Sequence, residues 1–112
     1  MSAVTTDDDL FLTVNVRSRS SGLQMNIWIG PRGRAGHAAR INAQTDHRQQ
    51  FDLDRLAVVG VDPPALIEGD LSPADLALVR EYVALNRQAI LDHWNENTDG
   101  VELSRALRSR AP

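Results

Sequence analysis

The hydrophobic pattern of this chain changes period once, near Ser72, and that change limits the folds available to it. Upstream, apolar residues alternate with polar ones. Leu10, Leu12, Val14 and Val16 are separated by polar Thr13 and Asn15, and Leu23, Met25, Ile27 and Ile29 stand against Gln24, Asn26 and Trp28. A third segment, from about His37 to Thr45, places Ala39, Ile41 and Ala43 on one face and Arg40, Asn42 and Gln44 on the other. A period of two is that of a half-buried strand. Leu56–Val61 is a continuous β-branched-rich run that predicts a fourth, more buried strand. Pro63-Pro64 stops it, and Ala65–Glu68 reads as a short edge segment.

Downstream the period becomes helical. Ser72 precedes Pro73, and Asp75 follows three residues after the serine, which reads as an N-cap, a proline at the first helical position and a shortened capping box. Leu76, Val79, Val83, Ile90 and Trp94 then recur at helical spacing to about Asn95. Asn86 interrupts that stripe, predicting a kink or a buried polar contact. Thr98 or Asp99 can cap a last helix carrying Val101, Leu103, Ala106 and Leu107, with Arg105, Arg108 and Arg110 towards the negative end of its dipole. Strands first and helices last predict an α+β fold: an antiparallel three- to four-stranded meander followed by two C-terminal helices packed on one face. Residues 10–112 are expected to form that single domain, and the acidic, aperiodic residues 1–9 to be disordered.

Composition removes whole chemistries. The chain has no cysteine, and all 12 of its basic residues are arginine. That excludes a disulfide framework, a zinc–thiolate or iron–sulfur site and a cysteine nucleophile, and equally a Schiff-base or P-loop lysine. A chain rich in Ala, Arg, Gly and Val points to codon bias as the common source of both absences. Met1–Leu10 carries three aspartates and neither a basic nor an apolar signal region, and no apolar run approaches a membrane span. The expectation is a cytoplasmic protein with no membrane partner.

The net charge of −3 conceals a segregation. Arg17, Arg19, Arg32, Arg34, Arg40 and Arg48 face only Asp46 between residues 17 and 48. Asp52, Asp54, Asp62, Glu68, Asp70 and Asp75 face only Arg55 between 49 and 75. The plain reading is that these blocks neutralise one another across the fold. The sharper reading is a bipolar surface for a charged partner.

The patterns that carry chemistry are weak. His37 and His47 would lie roughly 33 Å apart on one straight strand, too far to share an ion, and His93 with Glu96 and Asn97 makes a poor ligand set. The pairs Asp52/Asp54 and Asp92/Glu96 read as solvated acids, and Ser20-Ser21-Gly22 lies in a polar turn. Gly30-Pro31-Arg32-Gly33-Arg34-Ala35-Gly36 joins two strands, so no helix N-terminus aims at an anion there. No catalytic, cofactor or metal residue is therefore assigned. In a meander the arginines fall into two clusters at opposite ends of the second strand. Trp94 reads as core, Tyr82 as a marginal surface contact, and Trp28 as an exposed aromatic near arginine, the composition of a protein-binding hot spot.

Asn86–Trp94, followed by Asp99–Leu103 and Leu107-Arg108, resembles the C-terminal signature of small bacterial proteins of about this length classed as a domain of unknown function. These are often encoded on mobile elements or beside a second small protein in a toxin–antitoxin-like pair. His37–Ile41 resembles their strand motif, and the likeness spans residues 23–108. In that family the position of His93 is frequently tyrosine, which argues against His93 as a catalyst. The turn Asn95-Glu96-Asn97 departs from the family's glycine-containing version. The resemblance implies no enzymatic activity.

The leading expectation is a non-catalytic protein-interaction module without a cofactor, acting as an inhibitor or antitoxin-like partner. Its contacts would come from Trp28, Arg32, Arg34, Arg40, Asp52, Asp54 and Asp70. One alternative is nucleic-acid binding through Arg32, Arg34 and Arg40. Another is an enzyme built on His37 with Arg40 and an acid from residues 46–54. A homodimer through an exposed strand edge is compatible with all three.

Overall fold

The computed structural model describes residues 13–33 and 36–109. Five strands and four helices follow one another among them: β1 (Val14–Val16), α1 (Ser18–Ser21), β2 (Ile27–Ile29), β3 (Arg40–Gln44), β4 (Leu56–Gly60), β5 (Leu66–Glu68), α2 (Pro73–Leu85), α3 (Arg87–Trp94) and α4 (Gly100–Ala106). The strands form one antiparallel meander in the order β1-β2-β3-β4-β5. The α+β class expected from the sequence is therefore present, with differences of detail. The edge segment 65–68 is a fifth strand, the turn after Val16 closes as a short helix ended by Gly22 at φ 81°, and the expected long helix is two. The N-terminal tail, with Leu10 and Leu12 of the first expected strand, lies outside the described residues.

Alternation decides which face is covered. Val16, Ile27, Ile29, Ile41, Ala43 and Val59 point to one side of the sheet and pack with Val79, Tyr82, Val83, Ile90, Trp94 and Leu103 of the helices. Each large apolar side chain fully buried here contributes roughly 1.5–3 kcal/mol. Trp94 is core, as the stripe predicts. Tyr82 is a correction: it lies in the core at 1% exposure, because the turn of α2 that carries it faces β1 and α4 rather than solvent.

Local chemistry sets the helix ends. Ser72 Oγ accepts the Asp75 N–H at 3.1 Å, and Asp99 and Glu102 form a reciprocal capping box at 2.8 and 2.9 Å. Asn86 ends α2 and opens α3 with non-helical backbone angles. Its buried amide donates to the Tyr82 and Arg108 carbonyls and accepts the Arg108 N–H at 2.7 Å. The kink and the buried polar contact expected at Asn86 are thus one device, tying the segment after α4 to the helix break.

Candidate functional site

With three helices on one side, the other side of the sheet is the surface left to examine. A row crosses it, one residue per strand: Asn15, Trp28, Asn42 and Val58 are register partners in turn, and Glu68 follows beyond an irregularity between Val58 and Val59. Two residues from Asn42 on the same face is Arg40, paired with Gly60.

Trp28 does lie on this face, but it is buried at 7% exposure, which corrects the expectation of an exposed aromatic. The loop between β3 and β4 covers it: the Phe51 ring meets the indole edge-on, with centroids 5.0 Å apart. The Arg17 guanidinium sits 4.8 Å from the Phe51 centroid, so the arginine beside this aromatic pair contacts phenylalanine instead.

That loop is held down by two fully buried amides. Asn26 accepts the Ser18 N–H at 3.1 Å and donates to the Gln49 carbonyl at 3.0 Å. Gln44 donates to Asp46 at 2.6 Å and to the Gln50 carbonyl at 3.1 Å, and accepts the Asp52 N–H at 3.1 Å. On the loop's outer side Arg48 and Arg55 both bridge Asp46 and Asp52, at 2.9 to 3.6 Å. The hydrogen bond from Gln44, helped by Arg48, holds the Asp46 carboxyl below its usual range.

Part of the acidic block is paired, and among the described residues Arg48–Asp52 is the one bridge from an arginine of the basic block to an aspartate of the acidic block. Asp52 is taken by Arg48 and Arg55, Asp62 by Arg87, and buried Asp75 by half-exposed His47 at 2.8 Å. Of the expected acidic contacts, Asp54 donates its N–H to Asp52 Oδ1 at 3.0 Å with its side chain exposed, and Asp70 is exposed between β5 and α2.

The expected His37 site does not assemble. The His37 ring packs on Trp94 with centroids 5.5 Å apart, and its Nδ1 lies 3.0 Å from the Ala38 carbonyl. Asp46 and Asp52 lie past the opposite end of β3, a strand roughly 13 Å long. Arg32 is exposed, and its backbone N–H donates to the Trp94 carbonyl at 2.9 Å, docking the β2–β3 loop on the end of α3. Arg34 lies outside the described residues. Sequence reasoning missed three residue groups: the Asn26/Gln44 amides, Phe51, and the His47–Asp75 pair. Nothing local marks partners that are 28 residues apart, as His47 and Asp75 are.

Arg40 differs from the bridged arginines. Its Nε is out of solvent without a hydrogen-bond partner, and the side chain enters no ion pair among the described residues. The wall beside it is close-packed: a Cβ on Gly60 would lie 3.1 Å from the Pro63 carbonyl oxygen and 3.2 Å from Ile67 Cδ1. Ile67 itself is 48% exposed, so an accessible apolar side chain lies beside Gly60, the register partner of Arg40.

Elsewhere, a cleft of about 200 Å³ between β1 and α4 is lined by Asn15, Ser20, Tyr82 and Ser104 among others. Burial there pushes the Tyr82 phenol up to about 12. Among the described residues no group of three or more His, Asp or Glu is placed to hold a metal ion, and no helix is long and apolar enough to cross a membrane. Comparison with family models, with characterised proteins and with solved structures finds no match for this chain.

Proposed function

We propose that this chain is a small non-catalytic protein-binding module and that the helix-free face of its sheet is the contact surface. The observation that carries this reading is Arg40, whose Nε has no acceptor among the described residues, on the face the helices leave open, with exposed Ile67 beside its register partner Gly60. Arginine with an adjacent apolar anchor is a recurrent energetic centre of protein interfaces. Trp28, covered by Phe51 of the β3–β4 loop, bounds that surface, with its register partners Asn42 and Asn15 on either side of it. An inhibitor or antitoxin-like role suits such a module: the protein would act by occupying a surface of its partner. Arg32 and Arg40 show no continuous basic stripe between them, and the chain carries net charge −3, so nucleic acid is the less favoured ligand.

The test is affinity capture from the native host with tagged wild type, Arg40→Glu and Arg105→Glu proteins, compared by quantitative mass spectrometry. A partner retained by wild type and by Arg105→Glu, and lost by Arg40→Glu, supports the reading. Identical captured sets for all three proteins overturn it. A gel shift on duplex DNA at low salt, unchanged in Arg40→Glu, separates nonspecific charge from this face.

A further inference from the structure

We infer that the cleft between β1 and α4 binds a small uncharged molecule, one ring in size, that presents a carboxamide-type group to Tyr82 and Ser104. The walls of the cleft come from β1, α1, α2 and the end of α4, with no part taken by Arg40 or Ile67, so this site goes beyond the protein-binding face and stands without it.

Tyr82 carries the inference. Its ring is fixed in the core at 1% exposure, and its hydroxyl has no hydrogen-bond partner among the described residues. Among those residues Arg40 Nε is the one side-chain polar atom that is both sealed from solvent and unpartnered. The Tyr82 Oη, equally unpartnered, is therefore open to the cleft that the residue lines. A hydroxyl on a rigid buried ring at a cavity wall is a donor aimed at whatever occupies the cavity. Burial raises the phenol to about 12, so it remains a neutral donor at physiological pH.

The remaining walls select the ligand. A cavity of about 150 Å³ takes up benzene, so this cleft of about 200 Å³ has room for a single ring with a small substituent. Val14, Val16 and Leu107 supply apolar wall for the ring. Among the described residues no charged side chain lines the cleft, so an ionic ligand would give up hydration without meeting a counter-charge. Ser104 Oγ already donates to the Gly100 carbonyl at 2.9 Å, which leaves it to act towards the cleft as an acceptor. A donor and an acceptor in one small cleft match the C=O and N–H of a carboxamide, or the amide edge of a heterocyclic base. A carboxylate has no hydrogen to give Ser104.

NMR of the full chain tests this directly, because Tyr82 is the only tyrosine and isotope labelling of the ring gives it a signal of its own. The protein is titrated with benzamide, benzoate and toluene, which share the ring and differ in the group offered to the two hydroxyls. The expected result is a saturable shift of the Tyr82 signal with benzamide. Benzoate and toluene should bind about tenfold more weakly or worse. Tyr82→Phe keeps the ring and removes the donor. Followed through the ligand's own signals, it should bind benzamide about tenfold more weakly while keeping the wild-type dispersion of backbone amides. Ser104→Leu, at an exposed position of α4, fills the cleft with an apolar side chain. It should abolish the benzamide shift with Tyr82 still present, and it decides the matter alone if Tyr82→Phe does not fold.

Benzoate or toluene binding as tightly as benzamide overturns the assigned ligand class. Benzamide affinity unchanged in Ser104→Leu overturns the site, since binding then lies elsewhere. An unmoved Tyr82 signal with all three probes overturns the inference as a whole.

Discussion

The two faces of this sheet are built on opposite principles. One face is apolar, with isoleucines and valines packed under α2, α3 and α4. The other is held by directional bonds, two buried amides clasping a loop that carries Phe51 over Trp28. Apolar packing is non-directional and tolerates small shifts, whereas amide networks demand every partner. The covered face is therefore where stability concentrates, and the other face is free to hold a residue, Arg40, that stability does not explain.

Neighbouring residues of β3 break or support this contrast most sharply. Ile41 is 1% exposed towards the helices, while Asn42 points the other way. Ile41→Ala is expected to lose about 4 kcal/mol in denaturant unfolding, through lost transfer energy and a cavity. Asn42→Ala should stay within about 0.5 kcal/mol of wild type. Equal losses would mean that the two faces do not divide the work as described.

The amide clasp comes next. Gln44→Leu keeps the volume but deprives the Asp52 N–H and the Gln50 carbonyl of their partners. The expected loss is about 2 kcal/mol, since several bonds of a fully buried amide are lost at once while half-buried Asp52 and exposed Gln50 regain water. Tryptophan fluorescence would report a changed environment for Trp28 as Phe51 is released. A stable variant with an unchanged spectrum would show that the loop sits on the sheet without this residue.

How much of this was readable beforehand follows from range. Strand alternation, the Ser72 cap, the Asp99 cap and the break at Asn86 are encoded within a few residues of where they act, and all of them are present. The face of Trp28 was legible for the same reason. Its burial was not, because it depends on Phe51 arriving from a loop whose hold on the sheet comes from Asn26 and Gln44, neither of which carries a local signature. The same limit hid the pairing of Asp52 with Arg48 and Arg55 and the contact of Asp75 with His47: block sums along a chain say nothing about which side chains meet. Arg40 was singled out from the sequence as one of a basic group, and only the structure separates it from the arginines that are already bridged.

The covered face also has a titration signature. The Tyr82 phenol is raised from 10.0 to about 12 by burial, so the folded state holds its proton at pH values where the unfolded chain has released it. Its contribution is fully present below about pH 10 and is lost as pH rises to about 12, a decline of about 2 kcal/mol. Tyr82→Phe should remove that alkaline decline while leaving the neutral-pH fold intact. Asp46 on the opposite face runs the other way. Its carboxyl, lowered mainly by the Gln44 hydrogen bond, adds stability at neutral pH that disappears as acid protonates it.

The smallest expected effect is the most telling for function. Arg40→Leu removes a charge with no ion pair and a buried N–H with no acceptor among the described residues, so it should leave stability within about 0.5 kcal/mol of wild type or raise it slightly. Arg48→Leu, which removes one of the two cations shared by Asp46 and Asp52, is the matched control and should cost somewhat more while remaining a surface-scale loss. Urea midpoints of the two variants decide the matter. If Arg40→Leu costs several times as much as Arg48→Leu, then Arg40 is a structural residue, the helix-free face has no residue to spare for a partner, and the contrast between the two faces loses its functional meaning. If Arg40→Leu is neutral, the helix-free face holds an arginine that the fold does not need, and the contrast between the two faces keeps its functional meaning.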